Sequence, residues 1–298
     1  MLYDKYMKII DAHHHLWDLN VFPYEWLNQP HSIGDISGIR KNYLINDFLD
    51  DAKNLDLFKS VHIQCNGGKN SPVEETEWLQ SIANIHGFPH GIVFYTDLLK
   101  DNIEKEIEEH CKFENTRGLR YLLNYDSKNP VDCFTSEEVL INDFWKKNYA
   151  IIKNYNLSFD VHLWPQQYYL AYELFKVNPS ILNIINHAGT PKQRDIEYLN
   201  FWKQELSKLA SLDNTAIKIS GLGMFDQKWT TETIRPIVME CIEIFGIDRC
   251  FFATNFPVDK LFSSYEEVWK SYFEITKNFS DDEKDKLYFK NAEKFYRI

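Results

Sequence analysis

Four histidines follow apolar segments of this 298-residue chain, at positions where buried strands are expected to end. His13 and His15 close the first segment, and because side chains alternate along a strand, both point to one face while His14 points to the other. Similar segments end at His162 and just before His187. Imidazoles bind metal ions and exchange protons near neutral pH, so a fold that brings these four together would form a metal site or an acid–base site.

Eight short segments rich in β-branched and aromatic residues alternate with segments of helical periodicity. Most are apolar along their whole length, as expected of strands buried on both faces of a parallel sheet. The predicted strands are Lys8–His14, Ser60–Cys65, Gly91–Thr96, Gly118–Leu123, Ser158–Leu163, Ile181–Asn186, Ala216–Ser220 and Cys250–Thr254. Eightfold alternation predicts an α/β fold, a single (β/α)8 TIM barrel whose one domain spans residues 1–298. A doubly wound open sheet explains neither the number eight nor the lack of a G-x-G-x-x-G turn after the first strand.

The segments between the strands predict the helices that must surround the barrel. They are Val73–His86, Asn102–Lys112, Glu137–Tyr155, Gln166–Val177, Asp195–Ser211, Thr231–Phe245 and Tyr265–Asn278. A final helix is predicted after Ser280, because Glu283 completes a capping box with it. Residues 16–48 are too many for a simple strand–helix connection, so they predict a loop with a partial helix over the barrel mouth. The active site of such a barrel lies at the carboxyl ends of the strands, where the four histidines fall.

The amino-acid composition restricts the classes of molecule that this protein is expected to bind. The 33 basic and 44 acidic residues give a net charge of −11, and no basic cluster offsets it, which argues against nucleic acid. Five widely spaced cysteines without a C-x-x-C pair argue against a disulfide framework and a structural zinc site. The chain begins without a leader-like segment and has no apolar stretch near the roughly 18 residues that span a bilayer. We therefore expect a cytoplasmic protein without a membrane partner that acts on a small molecule; its oligomeric state is not predicted.

Six motifs occur in the order of the predicted strands. They are His13-x-His15, Arg117-Gly118-Leu119-Arg120, His162, Asn186-His187-Ala188-Gly189-Thr190-Pro191, Lys218-Ile219-Ser220-Gly221-Leu222 and Ala253-Thr254-Asn255-Phe256-Pro257-Val258-Asp259. Together they resemble the amidohydrolase superfamily, and within it the amidohydrolase-related (amidohydrolase 2) group that contains sugar-lactone and pyrone-lactone hydrolases. The resemblance implies a (β/α)8 barrel, in agreement with the strand count, and extends from about Ile9 to Asp259.

The resemblance also implies how a metal would be held. In this chain His13, His15 and His162 would bind one divalent ion, zinc above all, with an open position for water. Arg120 stands on strand 4, where binuclear members carry a bridging carboxylate, and its positive charge argues against a second ion. Asn255 stands at the position of the usual strand-8 aspartate, and an amide is a poorer ligand and no base. Some lactonases of this group act without metal, so a metal-free mechanism is the open alternative.

Lactone hydrolysis requires a polarised carbonyl, a deprotonated water and a protonated leaving oxygen. His187 is predicted to be the base or proton shuttle, with Asp259 as the alternative base unless it caps the next helix. Arg120 is predicted to bind a substrate carboxylate or polar oxygen, unless it forms a structural ion pair with an acid. Further substrate-binding candidates are Trp17, Gln64, Trp164 and Lys218. Core packing is the alternative for the aromatic rings, and pairing with a buried acid is the alternative for the lysine.

The expected function is that of a hydrolase that opens a small lactone, of the sugar-lactone or the pyrone and muconolactone type, by attack of water on the ester carbonyl. A non-oxidative decarboxylase with a mononuclear metal, from the same superfamily, is the second hypothesis. A ligand-binding descendant without activity is the third. The motifs around Arg120 and Asp259 favour the lactonase, and the presence of all four histidines argues against an inactive protein.

Overall fold

Residues 7–298 are described by a computed structural model, and their strands form one parallel sheet in the order β1 to β8. The strands are β1 Lys8–His14, β2 Asp56–Ile63, β3 Gly91–Phe94, β4 Thr116–Leu122, β5 Ser158–His162, β6 Asn183–Ile185, β7 Thr215–Ile219 and β8 Cys250–Phe252. The main chains just past β1 and β8 join the two edges: His15 N–H donates to Phe256 O at 2.7 Å, and Asn255 N–H donates to His13 O at 2.8 Å. The predicted eight-stranded (β/α)8 barrel is confirmed.

Helices follow the strands around the barrel. They are α1 Ile45–Ala52, α2 Val73–His86, α3 Ile103–Cys111, α4 Asp143–Ile151, α5 Tyr168–Lys176, α6 Ile196–Ala210, α7 Thr231–Phe245, α8 Tyr265–Ile275, α9 Asp281–Asp285 and α10 Asn291–Tyr296. The predicted ends of α2 and α7 are confirmed, as is the Ser280–Glu283 capping box before α9. None of the helices within residues 7–298 is long and apolar enough to cross a membrane.

One predicted helix, Glu137–Tyr155, is wrong as a continuous element. The segment contains the 3-10 helix Val139–Ile141, then α4, then the 3-10 helix Ile152–Asn154. The break lies at Asn142, which has an extended conformation and accepts a hydrogen bond from Trp145 N–H through its side chain. Asparagine is a strong N-cap residue because its side chain satisfies a free N–H of the first helical turn, and this local preference starts a new helix.

The long connection after β1 lies across the carboxyl end of the barrel. It contains the 3-10 helices Glu25–Asn28 and Ser37–Ile39, so the predicted partial helix is confirmed. Its ends are tied together where Trp17 and Tyr43 pair, with hydrogen bonds of 2.9 and 3.0 Å. Trp26 fixes the middle of the connection, because its indole N–H donates to Cys65 O just past β2.

The opposite end of the barrel is closed by the C-terminal helix. Ala292 and Tyr296 of α10 pack against the aliphatic side chains that fill the barrel, among them Ile10, Val61 and Ile184. The Tyr296 hydroxyl donates to Asp160 inside the barrel at 2.8 Å. The carboxyl end of the strands, where barrel active sites lie, is the end that this helix leaves uncovered.

Asp11 holds the junction between the first and last strands. Its buried carboxylate accepts hydrogen bonds from Thr254 N–H at 3.1 Å, Thr254 hydroxyl at 2.6 Å and the Tyr265 hydroxyl of α8 at 3.0 Å. Burial raises the pKa of Asp11 to about 6. The loop that carries Asn255 is thus positioned by β1 and α8 together.

We expect Asp11→Ala to lower the free energy of unfolding by about 3 kcal/mol, because four buried donors, the three above and the His13 N–H at 3.2 Å, would lose their acceptor. Urea denaturation followed by circular dichroism measures this loss. Asp35→Ala is the control: that exposed carboxylate bonds only the neighbouring Ser37, so its removal should change stability by less than about 0.5 kcal/mol. Equal losses in the two variants would contradict the role of Asp11.

Candidate active site

The four histidines singled out from the sequence lie together at the carboxyl end of the barrel. Ring centroids are 5.0 Å apart for His13 and His15, 4.5 Å for His13 and His187, and 5.0 Å for His162 and His187. None of the four is more than 7% exposed. His14 points away, as expected: it stacks on Phe48 and contacts the Ser60 hydroxyl.

Arg120 extends from β4 into this cluster. One guanidinium nitrogen lies 3.3 Å from His13 Nε2, another donates to the Gln64 main-chain oxygen at 3.1 Å, and Nε has no hydrogen-bond partner. Within residues 7–298 no carboxylate forms an ion pair with it, so the structural ion pair considered from the sequence does not form. Burial lowers the pKa of Arg120 to about 10, which still leaves the group charged at neutral pH. Among the described residues Arg120 is thus a buried cation without a direct ion pair, although Asp160 and Glu75 act on it from farther away, and its N–H groups suit an anion or a developing negative charge.

Lys218 of β7 is paired with a buried acid. Its ammonium lies 2.7 Å from Asp160 Oδ1, and both side chains are fully buried. The same oxygen accepts hydrogen bonds from Asn186 Nδ2 at 3.0 Å and from Tyr296. Burial lowers the pKa of Lys218 to about 8. The ion-pair alternative weighed for Lys218 is therefore the one observed, although its ammonium also lies 3.4 Å from His13 Nδ1.

His187 is held by the residues that follow β7. Its Nδ1 lies 3.0 Å from the Ser220 hydroxyl, which leaves Nε2 for other partners. A Cβ at residue 221 would lie 2.5 Å from His187 Nδ1, and φ there is +63°, so Gly221 is required for this approach. Burial and the neighbouring His162 lower the pKa of His187 well below its usual value. The imidazole is therefore neutral at physiological pH and can accept a proton.

Asn255 and Asp259 form a hydrogen-bonded chain behind His15. His15 Nδ1 lies 2.8 Å from Ile63 O, and its Nε2 lies 3.2 Å from Asn255 Oδ1. The Asn255 amide donates to Asp259 at 2.7 Å. Burial raises the pKa of Asp259 to about 7, and Ser264 rather than Asp259 caps α8. Asp259 thus reaches the histidines only through Asn255, and its role as an alternative base stays a prediction.

The other predicted substrate-binding residues lie around the cluster. Trp164 is closest, with its ring 5.9 Å from that of His162 and its indole N–H donating to Asp132 O. Trp17 is fully buried and stacks at 6.4 Å from His15, while its indole N–H donates to Lys41 O. The Gln64 side chain accepts a hydrogen bond from Asn66 N–H. Contact of these three with a substrate stays a prediction.

Two residues of the site were missed from the sequence. Asp160 lies two residues before His162 on β5, so strand alternation could have placed both on one face. Ser220 follows β7 directly and lay within a quoted motif, but a serine there carries no distinguishing signal.

The arrangement does not fit a divalent metal ion. No group of three histidine, cysteine, aspartate or glutamate side chains among the described residues is placed to bind one. Arg120 lies 3.3 Å from His13 Nε2, and this cation would repel a metal ion bound there. The strand-8 position that could supply an anionic ligand is Asn255. This geometry gives no support to zinc bound by His13, His15 and His162, which stays a prediction from the sequence. No chemical step below passes through a metal.

We expect the stability of the protein to depend on these histidines being neutral. Burial lowers the pKa of His15 and of His162 to about 3, whereas a histidine of the unfolded chain has a pKa of about 6.5. The free energy of unfolding is therefore highest above about pH 6.5 and falls below it, because the unfolded chain then takes up protons that the buried rings do not. The decline is about 1.4 kcal/mol per pH unit for each such histidine. Urea unfolding between pH 7 and pH 5, in the presence of a chelator, should show a shallower decline for His162→Gln than for the unmodified protein. Equal slopes would contradict neutral burial of His162.

Comparison with known proteins gives the same grouping as the motifs. A family model described as Amidohydrolase matches residues 10–298. An uncharacterized protein of Sinorhizobium fredii, y4mH, is 41% identical over 293 residues, covering 97% of this chain and 98% of that protein. The L-fucono-1,5-lactonase of Burkholderia multivorans is 24% identical, with 87% of this chain and 85% of that protein covered. The L-rhamnono-gamma-lactonase of Scheffersomyces stipitis is also 24% identical, with 98% and 99% covered.

Solved structures share the barrel. An amidohydrolase from Burkholderia multivorans with bound zinc superposes with a TM-score of 0.81 at 20% identity, covering 98% of this chain and 100% of that one. A protein from Pseudomonas putida that is named for 2-pyrone-4,6-dicarboxylic acid hydrolysis superposes with a TM-score of 0.72 at 14% identity, covering 97% of each chain. Sequence identities this low show only that the fold is shared. The family is shown by the family model, because that model matches nearly the whole sequence. The chain belongs to the amidohydrolase family of hydrolases, in the amidohydrolase-related group that includes sugar-lactone and pyrone-lactone hydrolases.

Proposed function

We propose that this protein opens a small lactone by attack of water on the ester carbonyl. The observation that carries the proposal is Arg120, a buried cation without a direct ion pair among the described residues, whose guanidinium lies 3.3 Å from His13 of the histidine cluster. Ester hydrolysis places negative charge on the carbonyl oxygen, and a preorganised cation in a dry site stabilises that charge. The two sugar lactonases among the relatives support the same reaction.

Arg120 and His187 have separate roles in the proposed hydrolysis. Arg120 receives the carbonyl oxygen, or a carboxylate beside it, through its N–H groups. His187 takes a proton from the attacking water through Nε2, while the Ser220 hydroxyl holds Nδ1. The bond between the carbonyl carbon and the ring oxygen then breaks, and the proton passes from His187 to that oxygen. The product is an open hydroxy acid, and water supplies both the hydroxyl group and the proton.

His13 and His15 hold the site in shape for this reaction. His13 lies between Arg120 and the Lys218–Asp160 ion pair, and its one acceptor nitrogen can take a hydrogen bond from either of the two cations. A neutral His15 has one N–H, which can donate either to Ile63 O or to Asn255 Oδ1. Residues whose own positions are locked by such contacts keep the reacting groups within a fraction of an ångström, which is what catalysis by positioning requires.

A pH-stat screen tests the function directly, since lactone opening releases acid. The panel contains aldonolactones, with pyrone and muconolactone carboxylates, and His187→Ala serves as the variant expected to lose turnover. Acid release by the unmodified protein alone supports the proposal. Release of carbon dioxide from aromatic carboxylates without lactone turnover would select the decarboxylase instead, and ligand binding without any turnover would select the inactive descendant.

We expect Arg120→Met to reduce kcat/KM by about 100- to 1,000-fold, because the side chain that stabilises the oxyanion loses its charge. The free energy of unfolding should not fall, since a buried cation without a direct ion pair is removed. Arg117→Met is the matched control on the same strand: Arg117 donates to main-chain oxygens on the outer side of the barrel, so its loss should leave kcat/KM unchanged. Full activity of Arg120→Met would refute the role of Arg120.

Removal of metal is expected to leave the activity intact, because the charged guanidinium of Arg120 lies 3.3 Å from His13 Nε2 and would repel a metal ion bound there. The protein is dialysed against a chelator, its metal content is measured by elemental analysis, and the rate on the best lactone of the screen is compared before and after. Loss of activity that zinc restores would instead establish the zinc site predicted at His13, His15 and His162.

A further inference from the structure

Asn124 has a buried side-chain amide that forms no hydrogen bond with the described residues. The side chain is completely buried, and neither Oδ1 nor Nδ2 has a hydrogen-bond partner. An amide can donate two hydrogen bonds and accept two, and each buried polar group left unpaired costs about 1–3 kcal/mol. Such groups are rare in folded proteins, and a functional site is one of the places where they are found.

The strand that leads to Asn124 places it on the same side as Arg120. Leu119, Tyr121 and Leu123 pack in the core between barrel and helices. Because side chains alternate, Arg120 and Asn124 lie on the opposite, inner side, with Asn124 four residues nearer the mouth. Leu122 lies between them and is partly exposed, so this side of the mouth is reached by solvent.

The main chain around Asn124 is fixed, so the amide cannot find a partner by a shift of the backbone. Leu123 N–H donates to His162 O at 2.7 Å, and Gln167 donates to Leu123 O at 2.8 Å. Asn124 O accepts from Phe134 N–H at 2.8 Å. His162, which pairs with Leu122 across the two strands, also has an unpartnered nitrogen, Nε2. Arg120 on β4, Asn124 just past β4 and His162 on the adjacent strand β5 thus each carry unpartnered polar atoms.

We propose that Asn124 is a specificity-determining residue that binds a hydroxyl group of the substrate rather than a carboxylate. This inference rests on the proposed function and concerns the same site. A hydroxyl group donates and accepts, and so it satisfies both atoms of an amide, whereas a carboxylate only accepts. A dicarboxylate would also require a second cation, and Lys218, the other buried cation at the site, is already neutralised by Asp160.

Because Asn124 is completely buried, hydroxyl binding requires that a side chain beside it move aside. Phe134, whose N–H donates to Asn124 O, is 39% exposed, and its ring lies 6.0 Å from the ring of His162 and 6.3 Å from that of His31 in the long connection after β1. Displacement of an exposed ring costs little burial.

Asn124→Leu tests the inference, because leucine matches the amide in size and removes both polar atoms. The substrates are a polyhydroxylated aldonolactone and an unsubstituted lactone of the same ring size. We expect kcat/KM to fall about 10- to 100-fold for the aldonolactone and less than about twofold for the unsubstituted ring. The melting temperature should stay the same or rise, because an unpaired buried amide is lost.

Asn148→Leu is the matched control, since the buried amide of Asn148 donates to Leu98 O and Lys100 O. That variant should lose thermal stability and keep the preference between the two lactones. Equal loss of kcat/KM on both substrates by Asn124→Leu, or a fall in its melting temperature like that of Asn148→Leu, would show a structural role and overturn the inference.

Calorimetric titration of the aldonolactone separates this inference from the proposed function. If the unmodified protein opens no lactone, hydrolysis is refuted, yet weaker binding of the aldonolactone by Asn124→Leu would still support hydroxyl recognition. Equal Kd values for the two proteins, or no binding by either, would refute the role of Asn124 regardless of turnover.

Discussion

The buried ion pair between Lys218 and Asp160 is the interaction on which the rest of the site depends. Both side chains are excluded from solvent, and a buried charge is tolerated only where it is paired and hydrogen-bonded. Asp160 meets that condition with Asn186 and Tyr296 as further donors. The pair joins β5 to β7 through the barrel, and Tyr296 extends the connection to the C-terminal helix. The floor of the active site is thereby tied to the helix that closes the opposite end.

Two consequences follow for the chemistry at the mouth. Lys218 is neutralised by Asp160 and so contributes little net charge, whereas Arg120 forms no direct ion pair among the described residues and keeps its charge for a ligand. The histidines lie beside these cations in a buried environment, which lowers their pKa values and keeps the rings neutral. A neutral imidazole next to a buried guanidinium is suited to taking a proton while negative charge develops nearby. The same electrostatic arrangement disfavours a divalent metal ion.

Much of the architecture could be predicted because periodicity is a local property. The apolar segment of β1, the helical spacing of α2 and α7, and the capping box at Ser280 each depend on residues close together in the chain. The error at residues 137–155 has the same origin: the apolar pattern continued through Asn142, but the cap hydrogen bond of that residue ended one helix and began another. Alternation along β1 separated His13 and His15 from His14 correctly, because the side-chain period of a strand is fixed.

The sequence by itself determined the eight strands, the end of the barrel at which the histidines lie, and the family motifs, since these depend on spacing along the chain. Only the tertiary structure decided the partners. Within the described part of the chain, it placed Asp160 against Lys218, left Arg120 without a direct ion pair, set Asp259 behind Asn255, and buried the amide of Asn124 unpaired. These pairings join residues far apart in the chain, and the free energy of a buried polar group depends on which atoms surround it in space.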